Sequence, residues 1–207
     1  MSRPIEYDPQ DVIMKTMTLF WEQGYENTSV RDVVNATGLK PGSLYNMYGN
    51  KEGIFNAVVK NYSKINKEQI EKILFKDDNA LQNIETFLNE IVIASISNKK
   101  TDGCLLVKTL LVVPPKDQKV QESIKHTFDE VESMLEKVLS IAKERNETDV
   151  DAKLFSKFIV STIYGAHVYY KTNKDVKILQ DSVDLLIEMI KLKNSSLIKR
   201  TAASQSL

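Results

Sequence analysis

The segment from Thr28 to Phe55, TSVRDVVNATGLKPGSLYNMYGNKEGIF, holds the residues best suited to chemistry with a partner. Gly42 and Ser43 are small. Lys40, Ser43, Tyr45 and Asn46 bring donors and acceptors beside them. A helix that enters the major groove of DNA needs this mixture: little bulk where its backbone nears the duplex, and hydrogen-bonding side chains aimed at base edges. Asparagine can pair bidentately with adenine, and lysine can donate to guanine. Thr28 and Ser29 stand at the start of the preceding helix, where free N–H groups favour a phosphate. Tyr45, Tyr48 and Lys51 flank the reading residues and can reach backbone oxygens. Such contacts fix register without reading sequence.

These side chains need two short helices held at a tight turn. Ser29 and Asp32 have capping-box spacing, with aspartate in the place of glutamate. Gly38 ends that helix, and Pro41 suits the first position of the next. A helix before them starts at Asp8-Pro9 and stops at Gly24, with Val12, Ile13, Met17, Phe20 and Trp21 on its apolar face. A helix after them starts at Asn50, carries Ile54, Phe55, Val58, Val59 and Tyr62 on one face, and runs toward a break at Lys76 to Asn79.

Downstream, helical periodicity continues and strand alternation is nearly absent. Leu81, Ile84, Leu88, Ile91 and Val92 form one face. A short apolar helix from about Cys104 to Val112 is stopped by Pro114-Pro115. A seam from Val120 to Ala142 predicts a long helix. Helices at about 150–172 and 175–193 are apolar over wide arcs, so each must bury more than one side. Two such helices fit a four-helix interface to which each subunit of a dimer gives two. Its candidates are Phe158, Gly165, Ala166 and Tyr169 on the first helix, and Val183, Leu186 and Ile190 on the second. The expected fold is all-α with about nine helices. A helix-turn-helix domain covers 1–51, a connecting helix 52–76, a ligand-binding and dimerisation domain 77–193, and a polar tail 194–207.

The composition narrows the classes. The 207 residues are 42% hydrophobic and 27% charged, with a formal net charge of zero, as in a globular protein. Residues 1–51 carry five basic against six acidic side chains, so bulk charge does not announce a nucleic-acid partner. DNA binding must rest on a few placed residues. One cysteine and two histidines distant in sequence exclude an internal disulfide and supply no metal-ligand spacing. No phosphate loop, paired-acid motif or cofactor motif is present. The first ten residues hold no apolar stretch of a signal peptide. The most apolar run, Leu105 to Val113, falls far short of the roughly 18 residues of a membrane span. A cytoplasmic protein is expected.

The segment resembles the DNA-binding domain of the tetracycline-repressor (TetR) family, whose signature is roughly T-x-x-D-I-A-x-x-A-G-V, a small-residue helix, then L-Y-x-x-F-x-x-K. Thr28, Asp32, Val33, Gly38, Leu39, Gly42, Ser43, Leu44, Tyr45 and Lys51 match it in order. The resemblance implies Tyr45 and Lys51 as phosphate contacts and positions 40 to 46 as base readers. Val34 and Thr37 replace small alanines, Tyr48 a phenylalanine, and Pro41 a polar residue. Gly103 to Val107 is similar to the C-terminal domains of one branch, that of the N-ethylmaleimide reductase repressor. This implies that the helices around Cys104 line a pocket for a small-molecule effector. From the helix faces, Tyr62, Phe87, Cys104 and Val107 are its candidates, together with Leu111, Phe128, Tyr164 and His167.

The leading expectation is therefore a homodimeric repressor, without cofactor or enzymatic activity, that binds a palindromic double-stranded operator and is released by an effector. Cys104 reads either as a small buried hydrophobe or as a modifiable thiol. His167 reads as a satisfied interior histidine or a ligand contact. An alternative is a thiol enzyme using Cys104, which needs His126 or His167 beside it. Another is a helical protein-interaction scaffold, which would leave Lys40, Ser43, Tyr45 and Asn46 without a role.

Overall fold

The computed structural model describes residues 7–96, 104–110 and 118–192. Among them are nine α-helices and no strand. They are α1 (Pro9–Gln23), α2 (Val30–Thr37), α3 (Pro41–Tyr48), α4 (Lys51–Leu74), α5 (Ala80–Ile96), α6 (Leu105–Leu110), α7 (Gln118–Glu144), α8 (Ala152–Asn173) and α9 (Val176–Lys191). The tail 194–207 and Leu111 lie outside the described residues.

The helix ends follow local chemistry. Asp8 accepts from the Gln10 N–H at 2.8 Å, with Pro9 opening α1. Asn50 accepts from the Gly53 N–H at 2.8 Å, and Asn79 from that of Gln82 at 2.9 Å. Asp151 and Asp175 cap α8 and α9 in the same way. Each oxygen satisfies a donor that the helix leaves unpaired. Gly38, at φ 73° and ψ 4°, ends α2 in the left-handed region that glycine enters without steric cost.

The chain forms two compact units, and the division runs through α4 and α7. Among the described residues, one holds 7–66, 104–110 and 118–127, and the other holds 67–96 and 128–192. In the first, Val12, Val33, Leu39 and Leu44 form the core beneath the helix-turn-helix, with Met47 and Tyr48 packed against it. Phe20 and Phe55 meet edge to face at 4.9 Å, and Trp21 and Tyr62 at 5.1 Å, which ties α1 to α4.

In the second unit the core runs from Leu74, Ile84 and Leu88 through Leu135, Leu139 and Ile159 to Leu179, Leu186 and Ile190. The Thr148 hydroxyl donates to the Ile190 carbonyl at 2.5 Å, anchoring the end of α9. Lys67 of α4 pairs with Glu130 of α7 at 2.6 Å.

Candidate nucleic-acid interface

Leu44 is wholly buried and fixes the rotation of α3. With that face committed inward, Lys40, Pro41, Gly42, Tyr45 and Asn46 are exposed, and Ser43 is half-buried between the two faces. The sequence places all six among the reading or flanking residues, and the structure brings them onto one short helix and its entry.

Gly42 is informative. A Cβ built on it would meet nothing within 4 Å. Glycine in a helix costs about 0.8–1.0 kcal/mol relative to alanine, and here the chain's own packing does not require it. The opening beside Gly42 suits an external surface that comes close to the α3 backbone.

Flanking residues behave less uniformly. Thr28 is fully buried, and its hydroxyl donates to the Gly24 carbonyl at 2.8 Å. It braces the α1–α2 turn and is not placed to touch a duplex, which corrects the sequence expectation. Ser29 is exposed, but its hydroxyl is spent on the cap. It donates to Asp32 Oδ2 at 2.5 Å and accepts from the Asp32 N–H at 3.2 Å, while the Ser29 N–H donates back to Asp32 at 2.8 Å. The Ser29 hydroxyl therefore has no donor left for a phosphate while the cap is formed. The hydrogen bonds from Ser29 hold the Asp32 carboxyl below its usual pKa. Arg31, exposed in the first turn of α2, was not singled out from sequence. Its guanidinium places a planar fork of donors, matched to phosphate oxygens, beside the α2 N-terminus.

Tyr48 is half-buried against the helix-turn-helix core. Desolvation, with a smaller effect of neighbouring Tyr7, raises its pKa and keeps the phenol neutral, a donor rather than a charge. Lys51 Nζ donates to the Glu26 carbonyl at 3.2 Å and lies 4.6 Å from the Tyr25 ring centroid.

The expected pocket residues divide between the units. Tyr62, Cys104 and Val107 belong to the first. The Tyr62 hydroxyl donates to Cys104 Sγ at 3.7 Å. Cys104 is partly exposed as a residue, yet burial of its thiol raises the pKa, against smaller opposing effects of the Val107 N–H and of Tyr62. Phe87, Phe128, Tyr164 and His167 belong to the second. Phe128 and Tyr164 stack at 4.1 Å, and Phe87 is buried. His167 has both ring nitrogens engaged: Nδ1 with the Ile163 carbonyl at 2.8 Å and Nε2 with Ser95 Oγ at 2.9 Å. Of the two sequence readings, the satisfied interior histidine is the one that fits.

The expected dimer residues also divide. Phe158 and Tyr169 are 41% and 54% exposed, and Gly165 is exposed with open space around it. Ala166, Val183, Leu186 and Ile190 are buried in the core of their own unit, so these four do not face a partner. On α9, Leu185 is 56% exposed, whereas Ile178 and Met189 are partly buried against the same core. A helix apolar on two sides offers no sequence mark of which side its own chain covers. No group of three or more His, Cys, Asp or Glu side chains among the described residues could hold a metal ion. No described helix is long and apolar enough to cross a membrane.

Comparison with known proteins places this geometry. The model of bacterial regulatory proteins of the tetR family matches residues 12–58, and that of the tetracyclin repressor-like C-terminal domain matches 80–186. The HTH-type transcriptional repressor ComR of Escherichia coli K12 is 28% identical over 169 residues, 80% of each chain. A cysteine-substituted form of the TetR-family regulator CifR, solved with 26-bp double-stranded operator DNA, superposes with a TM-score of 0.80 at 22% identity, covering 90% of this chain and 98% of that one. Reduced Escherichia coli NemR superposes with a TM-score of 0.80 at 13% identity, with the same coverage. At these identities the two structures speak for the fold alone, whereas the two family models together span most of the chain. The chain belongs to the TetR family of bacterial regulatory proteins and is a DNA-binding transcriptional regulator.

Proposed function

We propose that this regulator is a homodimeric cytoplasmic repressor that binds an approximately palindromic operator and is released by a small molecule. The observation that carries the DNA-reading part is the exposed set Gly42, Tyr45 and Asn46 on α3, with exposed Lys40 at its N-cap, while Leu44 on the opposite side is wholly buried. Asn46 and Lys40 read bases, Tyr45, Tyr48, Lys51 and Arg31 take phosphates, and Gly42 lets the α3 backbone approach. Gly165, exposed mid-helix with nothing beside it, supports the dimer, because its open side admits the same helix of a second copy. Phe158 and Tyr169 share the exposed side of α8 with Gly165, and Leu185 is exposed on α9.

The effector acts on the helices beyond α4, and a coupling of about 1–3 kcal/mol changes operator affinity about 5- to 150-fold. No catalytic role is assigned to Cys104, since its thiol is held protonated. The test is selection of bound duplexes from random DNA at two salt concentrations. The reading expects a two-fold-symmetric site whose affinity falls steeply with salt. Absence of any enriched sequence, with weak retention at low salt, would overturn it.

A further inference from the structure

The phosphate role of Lys51 leaves a flexible side chain to be ordered, and the chain carries the means beside it. Lys51 opens α4, with its ammonium over the Tyr25 ring at 4.6 Å and bonded to the Glu26 carbonyl at 3.2 Å. Tyr25 is itself held. Its ring tilts against Phe55 at 4.7 Å and stacks on Phe20 at 6.1 Å. Phe20 and Phe55 are both buried at the base of the first unit. A rigid aromatic floor thus supports one wall of the lysine, and the α1–α2 turn supplies the carbonyl. An ammonium has three donors and no acceptor. With the carbonyl and the ring face engaged, one donor is left for an outside acceptor.

We propose that Tyr25 is a positioning residue for DNA binding: its ring holds the Lys51 ammonium where a backbone phosphate takes the remaining donor. This rests on the DNA-binding reading above. Lysine loses more rotamer freedom on immobilisation than most side chains. Ordering it before the duplex arrives strengthens the contact and fixes where the phosphate must lie, and so fixes the register of α3. A Tyr25 that served only as core would act on affinity independently of Lys51.

The experiment is a double-mutant cycle with Tyr25→Leu and Lys51→Met, read as affinity for a mixed-sequence duplex, because a phosphate contact is independent of sequence. Lys51→Met should weaken binding and reduce the salt slope by about 1. Tyr25→Leu should weaken binding about two- to fivefold, the range of an exposed cation–π contact, and should add nothing in the Lys51→Met background. If Tyr25→Leu weakens both backgrounds equally, the inference falls and the DNA-binding reading stands. If Lys51→Met binds as wild type, Lys51 makes no phosphate contact, and both the assignment of Lys51 and the inference fall. A second measurement needs no variant. In the DNA-free protein the Lys51 ε-methylene protons should be shifted upfield by the Tyr25 ring, and unshifted resonances would overturn the inference.

Discussion

A methyl group on Gly53 would fall 1.8 Å from the carbonyl oxygen of Tyr48. The last turn of α3 therefore packs its backbone so closely on the first turn of α4 that no side chain fits between them. Between them Gly49 turns the chain at φ 79° and ψ −62°, and the Asn50 N–H donates to the same Tyr48 carbonyl at 3.0 Å. The direction in which Asn46 and Tyr45 point is thus tied to α4 by backbone contact.

Gly53→Ala should force this junction apart. The expected outcome is a loss of about 1–3 kcal/mol in stability, as for other overpacked sites, with weaker operator binding. Urea denaturation and DNA titration check the two parts.

Gly42→Ala should do the opposite in the free protein. No atom lies within reach of the added methyl, so helix propensity should stabilise the fold by about 0.5–1 kcal/mol. DNA affinity should fall, because the methyl occupies the space that the duplex approaches. A thermal melt and a binding isotherm on the same variant separate the effects.

Leu185 and Leu186 are neighbours with opposite roles. Leu185 is 56% exposed and Leu186 is 1% exposed. Leu185→Glu should shift the dimer toward monomer in sedimentation while leaving a folded subunit. Leu186→Ala should cost about 2–5 kcal/mol of subunit stability, the range for a large-to-small change in a core.

Burial lowers the pKa of His167, partly opposed by the Ile163 carbonyl. The unfolded ring takes up its proton first on acidification, near pH 6.5. The stability contributed by keeping the ring neutral is therefore complete above about pH 6.5 and is lost as pH falls through the lower folded value. Urea midpoints should drop across that window in the wild type and drop less in His167→Gln.

Burial raises the Cys104 pKa, and Tyr62 donates to its sulfur. At neutral pH iodoacetamide should alkylate Cys104 more slowly in the native protein than in urea. The native rate should rise with a midpoint above the ordinary thiol value of about 8.5. Equal native and denatured rates would contradict the buried thiol.

Much is legible in the sequence alone, because it depends on neighbours in sequence. Asp8, Asn50, Ser29 with Asp32, and Gly38 mark helix ends through contacts that span a few residues. Leu44 inward and Asn46 outward follow from helical spacing once α3 is bounded. Long-range packing decided the rest. Thr28 has the type and place of a phosphate ligand, but the Gly24 carbonyl and the core claim it. Val183, Leu186 and Ile190 look like an interface because α9 is apolar on two sides, and only the packing of α9 on α5 and α8 shows which side its own chain covers. Local capping and periodicity are properties of the sequence alone. Which apolar side is buried, and which hydroxyl is left free for a partner, depend on residues far apart in the chain, so only the tertiary structure could decide them.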